Sequence, residues 1–311
     1  MLIEQRFRLK WAHFEKSLRE RSTAHLAMSA RNRVRRILLE PSLRRAYERR
    51  AKRHRPSLPV LSADMQVVLD AIAVEGVYVG PVGSLNIPGT DEIIRIASAL
   101  APKLAKSPPT RPSKFMVHAD RADLQMWPEF FLWGLDDKLL DLVENHLGVP
   151  VGFNNVNVNR SIANDVQEGT RLWHLDSADH RMFRIIIYLN DVDSDNAAFE
   201  YISRKRSNMV RRALNYSNES VSDGIMRNMV PDDHWTACVG PRGTMIIADP
   251  ANVFHRSKVP QGQERFALFY SYQSAEPMHE RYMDQWISPE FFSSIENKLN
   301  SRQRACVFWR K

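Results

Sequence analysis

The sequence predicts an α+β protein in which a helical N-terminal half precedes an antiparallel β-domain. Up to residue 150, apolar residues recur at helical spacing between turn signals, whereas short β-branched and aromatic runs follow from residue 151 onward. Of the 311 residues, 43% are hydrophobic and 9% aromatic, a composition typical of a packed globular core. We find no internal repeat and no low-complexity tract.

The N-terminal segment 1–60 is strongly basic. It carries 17 Lys and Arg against 5 Asp and Glu, a net charge of +12, whereas the rest of the chain has a net charge of −4. Apolar residues recur in it at helical spacing, which favours amphipathic helices with a solvated basic face. These residues are Phe7, Trp11, Phe14 and Leu18. We expect a helical extension that packs on the body or mediates self-association.

The alternative for this segment is a nucleic-acid-binding arm, because a basic surface attracts phosphates. It contains no recognisable helix-turn-helix, zinc or RNA-binding motif, so we do not expect a nucleic acid partner. The stretch PSLP, 56–59, breaks the helical pattern and predicts a linker to the second domain, 61–311.

Three further segments predict helices before the β-domain, because their apolar spacing is helical and turn residues bound them. Their limits are 63–80, with a short strand after Gly76; 89–106, with Thr90 as the N-cap; and 127–150, with one or two helices ending at Gly148 and Pro150.

The C-terminal half contains five runs that predict strands: VGFNNVNVNR, RMFRIIIYLND, FEYIS, GTMIIAD and RFALFYSYQ. A long polar segment, 203–235, lies among them and has partly helical spacing. Insertions of this kind on a β scaffold often form lids or binding loops.

Several classes of protein are excluded by composition. No apolar run approaches the roughly 20 residues needed to cross a bilayer, and the N-terminus has no continuous apolar region of a secretory signal. The two cysteines, Cys238 and Cys306, have no partners at zinc-ligand spacing, so neither a zinc finger nor a disulfide framework is expected. We expect a soluble cytoplasmic protein.

The motif WHLD, 173–176, stands just before the apolar run RIIIYL. Because side chains alternate between the two faces of a strand, His174 and Asp176 point the same way and aim a nitrogen and an oxygen at one point. This arrangement suits a metal ion, although an ordinary buried polar pair has the same spacing.

A third ligand candidate, His255, follows the strand GTMIIAD after 78 intervening residues. Two histidines and one carboxylate form the facial triad of non-haem Fe(II) oxygenases, whose open positions accept a 2-oxo acid and dioxygen. Arg265 lies ten residues further on and offers the planar fork that pairs with a carboxylate, and the small Ala267 on the same face leaves room. The alternative for Arg265 is a local ion pair with Glu264.

The run RLWHLDSADHRMFRIIIYLNDVD…FEYI, together with GTMIIADPANVFHRS…RFALFYSY, resembles the phytanoyl-CoA dioxygenase-like branch of the Fe(II)/2-oxoglutarate-dependent oxygenases over about half of the chain. The resemblance implies a double-stranded β-helix, a cupin-like jelly roll with flanking N-terminal helices. It also implies that His174, Asp176 and His255 bind Fe²⁺ and that Arg265 holds the distal carboxylate of 2-oxoglutarate.

The sequence departs from the family pattern after the acidic turn. Ala197 and Ala198 stand where the family often has glycine and proline, and the usual Pro-Gly-Ser-His does not follow. The departure contains no ligand, so it concerns the shape of the substrate loop. Relatives act on many small molecules, and a family label does not fix a substrate.

Other residues near the motif are weaker candidates. Asn157 and Asn159 are expected to face the barrel interior and donate to the co-substrate. Arg184 lies within an apolar strand, where burial without a partner is costly, so it either contacts the co-substrate or an acidic substrate or forms a structural ion pair. Trp173 is a further pocket candidate, although strand alternation favours packing on the other face. Loop positions are expected for Asp179, His180 and His234.

The function predicted is that of a dioxygenase that uses Fe²⁺, 2-oxoglutarate and O₂ to hydroxylate a small organic molecule, with release of succinate and CO₂. Because Asp176 fills the carboxylate position that halogenases leave open to halide, hydroxylation or a related oxidation is favoured. One alternative is a cupin-like metal protein with another reaction; the other is a non-catalytic nucleic-acid-associated protein that uses the basic segment.

Overall fold

The computed structural model describes residues 39–279 and 289–309. Its helices are α1 (Glu40–His54), α2 (Ala63–Val74), α3 (Thr90–Ala99), α4 (Ala101–Lys106), α5 (Arg121–Gln125), α6 (Pro128–Gly134), α7 (Asp137–Leu147), α8 (Arg204–Ala213), α9 (Asp223–Met229), α10 (Pro289–Ser294) and α11 (Ser301–Val307). Its strands are β1 (Val77–Pro81), β2 (Met116–His118), β3 (Val151–Ser161), β4 (Phe183–Tyr188), β5 (Phe199–Tyr201), β6 (Thr236–Cys238), β7 (Thr244–Ala248), β8 (His255–Ser257) and β9 (Arg265–Ser274).

The chain divides into two compact units, Met1–Ala46 and Tyr47–Lys311. Within the second unit, Tyr47 is fully buried and its hydroxyl donates to the Leu147 carbonyl. The predicted apolar spacing of Phe7, Trp11, Phe14 and Leu18 lies outside the described residues. The predicted boundary at residue 60, between a basic helical extension and the second domain, stays a prediction.

The helices before the β-domain begin and end close to the predicted positions. Helix α2 begins after Ser62, whose hydroxyl accepts from the backbone amide of Met65, and ends just before Gly76. The predicted cap of the next helix is wrong, because Gly89 is the N-cap and Thr90 is the first helical residue. The Thr90 hydroxyl donates instead to the Ile87 carbonyl and accepts from the Trp133 indole.

Two other predicted helical segments are each divided in two. Within 89–106, Pro102 lacks a backbone donor and sits in the first turn of α4, so the chain starts a new helix after α3. Within 127–150, α6 and α7 are separate. Gly148 ends α7 in the left-handed conformation, with φ of 72°, which glycine adopts without steric cost.

The strands form two antiparallel sheets. The large sheet has the order β1-β7-β4-β9-β3-β2, and the small sheet has the order β6-β5-β8. A bridge between His174 and His255 adds the strand-like segment around the WHLD motif to the small sheet, beside β8. All five predicted strand runs are present, and β2, β6 and β8 are short additions.

The chain alternates between these sheets as it advances. It runs from β3 in the large sheet to the WHLD segment in the small one, then through β4, β5, β6, β7, β8 and β9. Only the step from β5 to β6 stays within one sheet. This winding is a double-stranded β-helix, so the predicted fold class is confirmed. Helices α8 and α9 lie within the β5–β6 connection, which is the predicted insertion.

The large sheet is buried on both faces. On its outer face, Ile185 and Tyr270 belong to the main core cluster, together with Trp133 of α6. On its inner face, Ile186 and Tyr188 pack in a second cluster with residues of the small sheet. Burial on both sides explains why β4 reads as a continuous apolar run instead of an alternating one.

No helix among the residues described here is both long and apolar enough to cross a membrane.

Candidate metal centre

His174 and His255 lie side by side because their backbones pair. The amide of each residue donates to the carbonyl of the other, both at 3.1 Å, in an antiparallel bridge. Residues paired in this way present their side chains on the same face. The two imidazole ring centroids are 4.3 Å apart.

Both imidazoles are held in the same tautomer. Nδ1 of His174 lies 2.8 Å from the Leu172 carbonyl, and Nδ1 of His255 lies 3.0 Å from the Val253 carbonyl. A carbonyl only accepts, so each Nδ1 donates its proton to the backbone and each Nε2 is the ring nitrogen left to bind a metal. Burial lowers the pKa of His255 to about 3, so this ring is neutral at physiological pH.

Asp176 completes the cluster. Its Oδ1 lies 3.6 Å from Nε2 of His174 and 3.8 Å from Nε2 of His255, and one ligand atom from each residue falls within 4.8 Å of the others. The other carboxylate oxygen, Oδ2, is 2.6 Å from Arg184. The predicted metal ligands are therefore brought together.

The charge of Asp176 is maintained by its neighbours. Burial alone would raise the pKa of its carboxyl group, but the Arg184 guanidinium and the two histidines outweigh burial, so the pKa lies below the ordinary value. Asp176 is thus ionised at neutral pH. Nε2 of His255 is buried and has no hydrogen-bond partner within the described part of the chain. An ionised oxygen beside an unused imidazole lone pair fits a cation.

The residues that alternate with the ligands anchor the motif. Trp173 and Leu175 pack on the opposite side, in an apolar cluster with Val221 and Phe254. The Leu175 amide donates to the Tyr216 hydroxyl at 3.1 Å. Trp173 is fully buried in this cluster, away from the His174 side chain, and the pocket role predicted for it has no support in this geometry.

The insertion 203–235 is fastened to the strand that carries His255. The next residue, Arg256, donates to Glu200 at 2.6 Å and also to Asp223 at the start of α9. Its guanidinium carbon lies 4.6 Å from the Trp173 ring centroid. The insertion therefore stabilises the WHLD segment and β8 on the side opposite to the metal ligands.

Arg265 is 2% exposed and has no carboxylate partner among the described residues. Its Nη1 donates to the Ala197 carbonyl at 2.7 Å, and its Nε is buried with no hydrogen-bond partner in the same part of the chain. Glu264 pairs with Arg160 instead, at 2.7 and 2.5 Å, so the alternative pairing of Arg265 with Glu264 does not occur.

A wall of aromatic side chains connects Arg265 with the metal cluster. The Phe199 ring stacks on the His255 ring at 5.4 Å between centroids. The Phe199 amide donates to the Tyr188 hydroxyl, and the Tyr188 side chain also contacts Arg265. The Arg265 guanidinium carbon lies 5.8 Å from the Phe269 ring centroid. Arg265 and His255 thus border the same interior.

The two predicted asparagines also face this interior. Strand register pairs Asn157 with Phe269 and Asn159 with Ala267, and paired residues share a face. Both are buried, and the Oδ1 atom of each has no hydrogen-bond partner within the described residues. Asn157 also contacts Nδ1 of His118 through its amide nitrogen. Both amides therefore lie on the inner face of the sheet, and their donation to the co-substrate stays a prediction.

Asp179, His180 and His234, which the sequence places in loops, lie outside the metal cluster. Asp179 is buried and accepts from the amide and hydroxyl of Ser274, at 2.9 and 2.5 Å. His180 lies 2.9 Å from Glu48, and His234 is exposed in the short turn Asp232–His234.

Two further polar residues near this interior, Asn155 and Arg171, are not among the candidates that the sequence motifs indicate. Asn155 lies one strand repeat before Asn157, and its Oδ1 is likewise buried without a hydrogen-bond partner in the described chain; the alternation in NNVNVN was a usable signal. Arg171 is fully buried near Arg265, and a single arginine three residues before His174 carries no motif that would single it out.

Comparisons with known proteins give structural likenesses only. No family model matches the chain, and no curated protein matches it. The solved structures similar to it include the non-heme alpha ketoglutarate dependent epimerase SnoN from nogalamycin biosynthesis, with 13% identity over 68% of this chain and 84% of that chain and a TM-score of 0.46. EctD from S. alaskensis in its apoform has 16% identity over 74% and 84%, with a TM-score of 0.48. HygX from Streptomyces hygroscopicus, with nickel and 2-oxoglutarate bound, has 16% identity over 69% and 88%, with a TM-score of 0.43. At these values a likeness says nothing about what this chain binds.

Proposed function

We propose that this protein is an Fe(II)- and 2-oxoglutarate-dependent oxygenase that hydroxylates a small organic molecule with release of succinate and CO₂. One observation carries the proposal. A His174–Asp176–His255 cluster and a buried Arg265, which pairs with no carboxylate among the described residues, border the same interior of a double-stranded β-helix. The first group suits a metal ion, and the second suits the far carboxylate of a 2-oxo dicarboxylic acid.

The donor set fits Fe²⁺. Two imidazole nitrogens and one carboxylate oxygen on one side of a metal are the facial ligands of non-haem iron, and the remaining coordination positions stay open. When bound, the iron supplies the activation of O₂ by electrons taken from the 2-oxo acid. The Arg184 contact occupies Oδ2 of Asp176, which leaves Oδ1 as the single oxygen facing both histidines.

The other residues bind and orient the co-substrate. Arg265 offers its guanidinium to the distal carboxylate in a site with little water, where such a contact is strong. Ala267 carries only a methyl group beside it and leaves space. The rings of Phe199 and Phe269 exclude water between the arginine and His255, and Asn157 and Asn159 supply the unused amide groups of the wall.

Several finer points stay predictions. These are hydroxylation as opposed to another oxidation, the phytanoyl-CoA dioxygenase-like branch, the small-molecule substrate, self-association through the N-terminal segment and a cytoplasmic location. Of the two alternatives, a cupin-like protein with another reaction gives Arg265 no role, and a nucleic-acid-associated protein gives the metal cluster none.

The test is an anaerobic titration of the purified protein with Fe(II) and then 2-oxoglutarate. We expect a visible metal-to-ligand charge-transfer band, and we expect succinate to form after air is admitted. His255→Gln should lose the band, whereas His234→Gln, which changes an exposed histidine outside the cluster, should keep it. The proposal is wrong if iron binds to the wild-type protein and 2-oxoglutarate leaves its spectrum unchanged.

A further inference from the structure

Arg171 is a second buried arginine at the barrel interior, and the reasoning from sequence gave it no role. Its side chain is fully buried, and its guanidinium carbon lies 4.3 Å from the centroid of the Phe115 ring. Its hydrogen bonds go to neutral oxygens, namely the Asn164 carbonyl and side chain, the Val166 and Ile162 carbonyls and the Ser161 hydroxyl.

No carboxylate pairs with Arg171 in the described part of the chain, and its Nε is buried there without a hydrogen-bond partner. Burial and the charge of Arg265 lower the pKa of Arg171 to about 10, so it still carries a proton at neutral pH. A buried cation without an anion is costly, and proteins usually pair such groups.

Arg171 and Arg265 both lie next to Ser161. Ser161, the last residue of β3, is the register partner of Arg265 on β9. Nη2 of Arg171 lies 3.5 Å from the Ser161 hydroxyl. The two arginines therefore border the same corner of the barrel, close enough for the charge of Arg265 to lower the pKa of Arg171. The Nε–H of each arginine is buried and has no acceptor in the described chain.

We propose that Arg171 and Arg265 together form a two-guanidinium pocket that selects 2-oxo acids bearing a second, distal carboxylate. Arg265 contacts that carboxylate. Arg171 is a specificity-determining residue, because its buried charge makes this corner favourable for an anion and unfavourable for an apolar tail. The inference rests on the proposed function and extends it, since it explains why a dicarboxylate is required.

A purely structural role for Arg171 predicts something different. Its bonds to Asn164, Val166 and Ile162 hold the loop 162–168, and losing them would disturb the pocket for any 2-oxo acid. The two roles separate when binding of 2-oxoglutarate is compared with binding of 2-oxopentanoate, which has the same chain length and no distal carboxylate. A charge effect changes the ratio of the two dissociation constants, whereas a loosened loop raises both.

The experiment measures both dissociation constants by anaerobic absorbance titration of the Fe(II)-loaded protein and by calorimetry. Arg171→Gln should lower the ratio of the dissociation constant of 2-oxopentanoate to that of 2-oxoglutarate by about tenfold, which corresponds to about 1.4 kcal/mol. Arg171→Lys retains the charge and should retain the preference. Asn164→Ala, the matched control, removes one acceptor of Arg171 without changing charge and should also retain it.

The outcomes are distinct. An Arg171→Gln ratio within about twofold of the wild type, or an equal loss in Arg171→Gln and Asn164→Ala, would overturn the inference. Should Arg171→Gln fail to fold, Arg171→Met takes its place. An Arg171→Lys variant that loses the preference for 2-oxoglutarate over 2-oxopentanoate also overturns the inference. If the wild-type protein binds no 2-oxoglutarate at all, the proposed function fails first.

Discussion

Replacing Arg265 with methionine should separate protein stability from co-substrate binding. Arg265 is 2% exposed, pairs with no acid among the described residues, and hydrogen-bonds to the Ala197 carbonyl and the Tyr188 side chain. Methionine fills a similar volume without charge. If Arg265 stabilises the fold, the substitution should lower the free energy of unfolding. If Arg265 binds the co-substrate, the substitution should weaken co-substrate binding and leave stability nearly unchanged.

The magnitude follows from these contacts. Replacing a buried ion with an apolar side chain is often neutral or stabilising by about 1–4 kcal/mol. Leaving the Ala197 carbonyl without its donor costs about 1–3 kcal/mol. The two effects oppose each other, so the free energy of unfolding without 2-oxoglutarate should fall by no more than about 2 kcal/mol. Loss of the buried contact to the co-substrate should cost about 2–5 kcal/mol, a rise in Kd of about 30-fold to about 4,000-fold.

The assay combines urea unfolding of the protein without co-substrate and anaerobic titration of the Fe(II)-loaded protein with 2-oxoglutarate. Arg160→Met is the matched control, because Arg160 pairs with Glu264 at the neighbouring position. It should lower stability, since Glu264 loses its partner, and should leave the Kd for 2-oxoglutarate unchanged.

Two results would refute this reasoning. If Arg265→Met lowers the free energy of unfolding by more than about 3 kcal/mol, Arg265 is part of the fold's own support, as expected for one half of a buried ion pair. If the variant is stable and binds 2-oxoglutarate as the wild type does, Arg265 does not hold the co-substrate.

Three further predictions concern the metal, pH and a helix end. Asp176→Ala should remove tight Fe(II) binding, measured by equilibrium dialysis. It should leave the far-UV circular dichroism unchanged, because the carboxylate lies beside the polar side chains of His174, His255 and Arg184; loss of the fold would contradict this. Burial lowers the pKa of His146 to about 4, below its ordinary value of 6.5. Between these two pH values the unfolded chain binds a proton at His146 and the folded chain does not. The free energy of unfolding should therefore fall by about 3 kcal/mol as the pH drops from about 6.5 to about 4. Urea unfolding across this range should show a shallower decline in His146→Gln, and parallel curves would argue against the assignment. Gly148→Ala should lower the free energy of unfolding by about 1 kcal/mol, because alanine is strained at a φ of 72°; thermal unfolding without change would count against the strain.

The local part of the site was predictable from sequence. A strand places residues two apart on one face, so the WHLD motif alone indicates that His174 and Asp176 converge and that Trp173 faces the other way. The strands of the barrel were predictable for the same reason, because their apolar and β-branched runs are local signals. The Thr90 cap failed because Gly89, which adopts the left-handed conformation, precedes it as the N-cap.

Only the tertiary structure decided which distant residues meet. His255 joins His174 through a backbone bridge between two sheet segments, and no periodicity in either segment encodes that register. Arg265 is left without an acid because Arg160, on the adjacent strand, takes Glu264. Arg171 reaches the same corner through a turn that follows β3. Pairing and burial depend on how strands align across the sheets, whereas sequence patterns fix only the face that a side chain occupies.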